Sequence, residues 1–88
     1  MSDELIQRVR NVIASVKRMP VDKITVDSPF QELGIDSMDA VEILFALENE
    51  FDVNIPDEEA KTVHNVREMA EGIDKLIAAK SADAPAGQ

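Results

Sequence analysis

Ser37 stands between Asp36 and Asp39 in the run Gly34-Ile35-Asp36-Ser37-Met38-Asp39, and a hydroxyl so placed has three chemistries open to it. As a nucleophile it would need a base within hydrogen-bond reach and donors for an oxyanion. The only histidine, His64, falls in a polar segment before the last apolar run, and no Gly-x-Ser-x-Gly context surrounds the serine. As helix-start chemistry it is ordinary, because serine is common where helices begin. As an acceptor of a modifying group it would have free backbone N–H groups and a positive dipole end beside it, which favour a phosphate-like group. Asp36 and Asp39 repel a tightly held phosphate, yet tolerate a diester that projects into solvent and carries something else. The residues alone leave the last two readings open.

Other chemistry is thinner. Asp52-Val53-Asn54 starts like a calcium loop, but Pro56 takes a ligand position, Asp57 replaces the turn glycine and Val63 stands where a bidentate glutamate belongs. No defined metal site is expected. The absence of cysteine removes disulfides, thiolate metal sites and a thiol nucleophile of the chain's own, and no glycine-rich phosphate loop is present.

Eighty-eight residues of ordinary apolar content make one domain with a modest core. Its net charge is −9, and 11 of the 18 acids fall between Lys23 and Lys61, where there is no Lys or Arg. Nucleic-acid binding needs the opposite sign. A basic protein partner, steered in by the field, fits this pattern, and a merely solvated acidic surface is the alternative. No apolar run approaches membrane-spanning length, and MSDELIQRVR lacks a signal peptide's apolar core. The expectation is a cytoplasmic chain without membrane insertion.

The elements that must position Ser37 follow from periodicity. Leu5, Ile6, Val9, Val12, Ile13 and Val16 recur at helical spacing. Ser2 is placed to cap that first helix and Pro20 to stop it. A long connection over 19–36 has apolar anchors at Ile24, Val26, Phe30, Leu33 and Ile35. Within it, Ser28-Pro29-Phe30-Gln31 predicts one helical turn with Ser28 as cap and Pro29 at its first position. Gly34 supplies a sharp turn. Asp36 then caps a second helix from about Ser37 to Phe51, and Asp57 to Lys61 predicts a short third. Asn65 caps a last helix, with Glu68 completing a capping box and Val66, Met69, Ala70, Ile73, Leu76 and Ile77 as its buried stripe. The fold class is all-α: a small four-helix bundle with a long loop between the first and second helices and a short third helix. It is expected to span 1–79, with a disordered tail over 80–88.

The second helix has two apolar faces. At about 100° per residue, Ala40, Ile43, Leu44, Leu47 and Phe51 share one side, while Met38, Val41 and Phe45 lie nearly opposite, flanked by Glu42 and Glu48. A bundle this small cannot easily bury both. Either the second stripe is exposed for docking, with acids to steer, or the long loop folds back over Phe45 and Met38.

Several segments in order resemble the acyl carrier protein family. They are Leu33 to Glu42, the acidic run Leu47-Glu48-Asn49-Glu50-Phe51, Ile55 to Ala60, and the earlier Asp27 to Phe30. The likeness spans about residues 3 to 79. The resemblance implies a four-helix bundle and a non-catalytic carrier. Its Ser37 would bear a covalent 4′-phosphopantetheine arm, attached by a phosphopantetheinyl transferase, that holds acyl groups as thioesters.

It further implies that Asp36, Asp39, Glu42, Glu48 and Asp57 meet basic residues on acyl-processing enzymes such as synthases, reductases and transferases. Met38, Val41 and Phe45 would add apolar contacts, and the core stripe would line a cavity for the acyl chain. Met38 stands where the family usually has leucine, and Asn49 interrupts the acidic run. The short form implies a discrete, shuttling, monomeric carrier for fatty-acid, polyketide or lipid synthesis. An unmodified acidic interaction module and an aminoacyl or peptidyl carrier are the alternatives.

Overall fold

Capping residues and apolar period place four helices: α1 (Asp3–Lys17), α2 (Ser37–Phe51), α3 (Asp57–Lys61) and α4 (Val66–Ala86). The computed structural model describes residues 3–86, with side chains described for 3–80. No strand occurs among the described residues, and no helix there is long and apolar enough to cross a membrane. Ser2, expected to cap α1, lies outside the described residues, as do the side chains of the tail beyond Lys80. The backbone of α4 runs past the boundary expected near 79, through the alanine-rich stretch from Ala78, which favours helix.

The stripes read from periodicity meet in one core. Leu5, Val9, Ile13 and Ala14 of α1, Ile43, Leu47 and Phe51 of α2, and Val66, Met69, Ala70 and Ile73 of α4 are buried together with Ile24 and Ile35 of the long connection. Helix α1 packs on both α2 and α4. Helix α3 buries none of its own residues.

Helix α1 ends before Pro20 can stop it. Arg18 takes a left-handed backbone (φ 56°), and the Met19 N–H donates to the Ala14 carbonyl at 3.0 Å while the Arg18 N–H reaches that of Ser15 at 3.3 Å. This pairing closes the last turn in the way glycine usually does, here with arginine. The long connection then forms two 3₁₀ turns, Val21–Lys23 and Phe30–Leu33. The second begins one residue later than the sequence predicts, after Pro29 and without a side-chain cap. The His64 carbonyl accepts the Phe30 N–H at 2.8 Å, so a donor that Ser28 would have capped is already engaged.

Basic side chains pin this connection to the bundle. Arg10 donates to the carbonyls of Ile24 (2.7 Å) and Val21 (3.1 Å). Arg67 grips Asp27 through Nε at 2.6 Å, and the Arg67 N–H donates to the Val26 carbonyl at 3.1 Å. That last bond satisfies one of the free N–H groups at the start of α4. A long loop is stable here because its polar backbone has fixed partners. Asn65 caps α4 as read, accepting the Glu68 N–H at 2.8 Å. Glu68, however, reaches back to the N–H of His64 at 2.8 Å, one residue before the cap.

Candidate functional site

Gly34 ends the second 3₁₀ turn with φ 76°, a left-handed conformation that redirects the chain toward α2. Asp36, with extended backbone, caps α2: its Oδ1 accepts the Asp39 N–H at 2.9 Å, and Asp39 Oδ2 receives the Asp36 N–H at 3.4 Å. The helix-start work therefore falls to Asp36 and Asp39. Ser37, the first helical residue, is exposed and relieved of capping. An open depression lined by Gln31, Gly34, Ile35, Asp36 and Ser37 surrounds it, so a group attached to its hydroxyl has a clear path outward. His64, the lone histidine, sits before α4 with Nδ1 3.2 Å from Glu68 Oε1.

Downstream of Ser37, the second apolar stripe faces solvent. Met38 is 74% exposed, Phe45 66% and Val41 49%, and the long connection does not cover them. Exposed Glu42 lies on the same helix, and exposed Asp57 begins α3. An apolar strip rimmed by free carboxylates suits a transient partner with basic residues, where contact area holds and charge steers.

The remaining site acids have work inside the fold. Asp39 Oδ2 pairs with Lys17 Nζ at 2.7 Å. The Lys17 hydrogen bond is the main reason the Asp39 carboxyl is held below its ordinary range; burial opposes it, and the Asp36 backbone and the Lys17 charge assist. Glu48 Oε2 accepts the Ile55 N–H at 2.8 Å, tying the end of α2 to the segment that leads into α3. By sequence Asp39 and Glu48 group with Glu42 and Asp57. The first two have internal partners; the geometry separates the pairs.

Beneath Ser37 the core stripe borders a small apolar cleft. Phe30, Ile35, Ala40, Ile43, Leu44, Ala60, Val63 and Met69 line it, and its volume is about 60 Å³. Ala40, Ile43 and Leu44, which share one face by spacing, form its α2 wall. Ala60 and Val63 carried no such signal, because only the fold brings the end of α3 and the turn after it to the same cleft as Ala40 and Leu44.

Comparison with known proteins agrees with this geometry. The family described as "Phosphopantetheine attachment site" matches residues 7–73. The chain is 40% identical over 78 residues to an acyl carrier protein of Akkermansia muciniphila, covering 86% of this chain and 98% of that protein. It is also 40% identical over 72 residues to an acyl carrier protein of Treponema denticola, covering 81% and 92% respectively.

Proposed function

The chain belongs to the acyl carrier protein family, and from that premise we propose that Ser37 is the residue on which it carries 4′-phosphopantetheine. It is a non-catalytic carrier that delivers acyl groups to acyl-processing enzymes, fatty-acid synthesis being the usual setting of such carriers. When bound, the arm supplies the thiol that holds acyl groups as thioesters, for which the chain has no cysteine of its own.

The observation that carries the assignment is an exposed hydroxyl at the first position of α2, excused from capping by Asp36 and open to solvent on the Gly34 side. In the loading step Ser37 Oγ bonds to the pantetheine-side phosphorus of coenzyme A. The pyrophosphate linkage breaks, adenosine 3′,5′-bisphosphate leaves with the electron pair, and the serine proton passes to a base of the transferase. The open depression admits a bulky donor, and the helix N-terminus favours the diester that results.

Met38, Val41 and Phe45 serve as the apolar contacts of the docking face, with Glu42 and Asp57 as its free charges. Asp36 caps α2 and adds its charge near the arm. Asp39 and Glu48 shape the same face from within, through Lys17 and Ile55. Partner affinity is modest by design, because a carrier must leave after each step and steering supplies fast encounter. The cleft beneath Ser37 is the entrance for an acyl chain. At about 60 Å³ it has room for only a few waters, so an acyl chain enters only as the apolar lining opens.

Intact mass after incubation with coenzyme A and a broad-specificity phosphopantetheinyl transferase tests the assignment. Wild type gains the mass of the arm, and Ser37→Ala gains nothing. A mass gain on Ser37→Ala, or none on wild type with several transferases, overturns it.

A further inference from the structure

Lys17 is the last residue of α1, yet its ammonium group lies at the turn that presents Ser37. Its Nζ donates to the Gly34 carbonyl at 3.0 Å and to Asp39 Oδ2 at 2.7 Å. These partners stand on either side of Ser37 in the chain. Asp39 in turn is bonded to Asp36 in both directions through the capping box. One cation thus holds the final turn of the connection and the first turn of α2. The side chains of Lys17 and Asp39 are only 21% and 25% exposed, so this is no loose surface pair.

We infer that Lys17 is a positioning residue for the loading of Ser37: it fixes the turn from Gly34 to Asp39 and offsets one of the two carboxylate charges flanking the hydroxyl. The inference rests on the reading of Ser37 as the attachment site. Two demands of that reaction motivate it. First, the attacking oxygen must be presented in one geometry, and loss of that placement is expensive in rate. Gly34, with no side chain and a left-handed backbone, has little of its own to lock the turn; a charge-assisted bond to its carbonyl does so. Second, an anionic pyrophosphate approaches a site already bearing Asp36 and Asp39, and the diester leaves a new negative charge there. Lys17 is placed against that repulsion. Arg8, Arg10 and Arg67 are engaged elsewhere, with Glu50, with Ile24 and Val21, and with Asp27 respectively. Lys17 acts through Gly34 and Asp39.

Lys17→Met keeps much of the stem and removes the ammonium, whereas Lys17→Arg keeps charge and donors. Loading by coenzyme A and a broad-specificity transferase is followed by intact mass at varied carrier concentration. For Lys17→Met the kcat of loading falls about ten- to a hundredfold. The KM for the carrier does not rise, because losing a cation makes the chain more attractive to a basic transferase. Lys17→Arg recovers most of the rate. In the unmodified chain, amide exchange at Asp36 and Asp39 accelerates in Lys17→Met, while Leu47 in the buried stripe stays protected. Should Lys17→Met lose its fold, Lys17→Gln, which keeps a donor without the charge, takes its place. An unchanged kcat overturns the inference, as does unchanged protection at Asp36 and Asp39. If wild type itself accepts no arm, the Ser37 assignment falls and this inference with it; if wild type loads and the variant loads equally fast, only the role of Lys17 is lost.

Discussion

Helices α1 and α2 are both 15 residues long and pack against each other, yet they distribute their side chains differently. In α1 the apolar residues form one stripe, and none of its large hydrophobics is among the exposed ones. Its cations turn to the fold: Arg8 pairs with Glu50 at 3.0 Å and covers the Phe51 ring at 4.4 Å, Arg10 holds loop carbonyls, and Lys17 holds the Ser37 turn. In α2 one apolar stripe suffices for the core, and a second stands in solvent beside free acids. A helix that only has to fold needs one apolar face. The surplus on α2 has no folding purpose and is where a partner is expected to act.

The largest expected effect separates the two stripes of α2. Leu47 is fully buried, so Leu47→Ala should cost about 2–5 kcal/mol in urea unfolding. Phe45→Ala removes a bigger side chain from a more exposed position and should change stability by within about 0.5 kcal/mol. Its cost should appear instead as a several-fold drop in transfer by an acyl-processing enzyme. Equal destabilisation by the two variants would erase the distinction between stripes.

Local signals explain why that distinction was legible in the sequence. The starts of α2 and α3 follow from Asp36 and Pro56, and both faces of α2 follow from spacing alone, whereas α2 ends at Phe51 through the left-handed backbone of Asp52. What the sequence could not convey are bonds between residues remote in the chain. Lys17 and Asp39 are 22 residues apart and Arg67 and Asp27 are 40 apart; they meet only because α1 lies on α2 and the connection crosses the start of α4. For the same reason Asp39 and Glu48 read like any other acid of a basic-free segment. Arg18 in a left-handed turn carried no signal either, because glycine is the residue that announces such an ending. Recognition of Ser37 rested on the resemblance, since its immediate chemistry was equally that of an ordinary helix start.

A middle-sized effect should divide the acids of α2. Glu48→Ala leaves the Ile55 N–H without its charged acceptor and should cost about 1–3 kcal/mol in thermal or urea unfolding. Glu42 has no such internal bond among the described residues, so Glu42→Lys should leave stability within about 0.5 kcal/mol. That variant should instead slow encounter with a basic partner, and more so at low salt than at high salt. Rates independent of salt would mean that Glu42 belongs with the merely solvated acids.

The smallest effect is a pH dependence confined to acids that hold the bundle together. Asp39, Asp27 and Asp52 are each held below 3.8, chiefly by hydrogen bonds from Lys17, Arg67 and Lys80 respectively. A carboxyl with a depressed folded value stabilises the fold above its unfolded value, and that contribution disappears as pH falls through 3.8 toward the lower one. Wild type should therefore exceed Asp39→Asn in unfolding midpoint at pH 7, with the gap closing as the medium is acidified below 3.8. Asp52→Asn should behave alike, since asparagine tolerates the left-handed backbone at that position (φ 54°). The Asp27 and Asp52 pairs are at the surface, where screening keeps their contribution low, whereas the Asp39 pair is half-buried and should show the larger gap. A gap that persists unchanged at acid pH would mean the substitution acts by some route other than the loss of an ion pair, and the division between structural and docking acids would then have to rest on Glu48 alone.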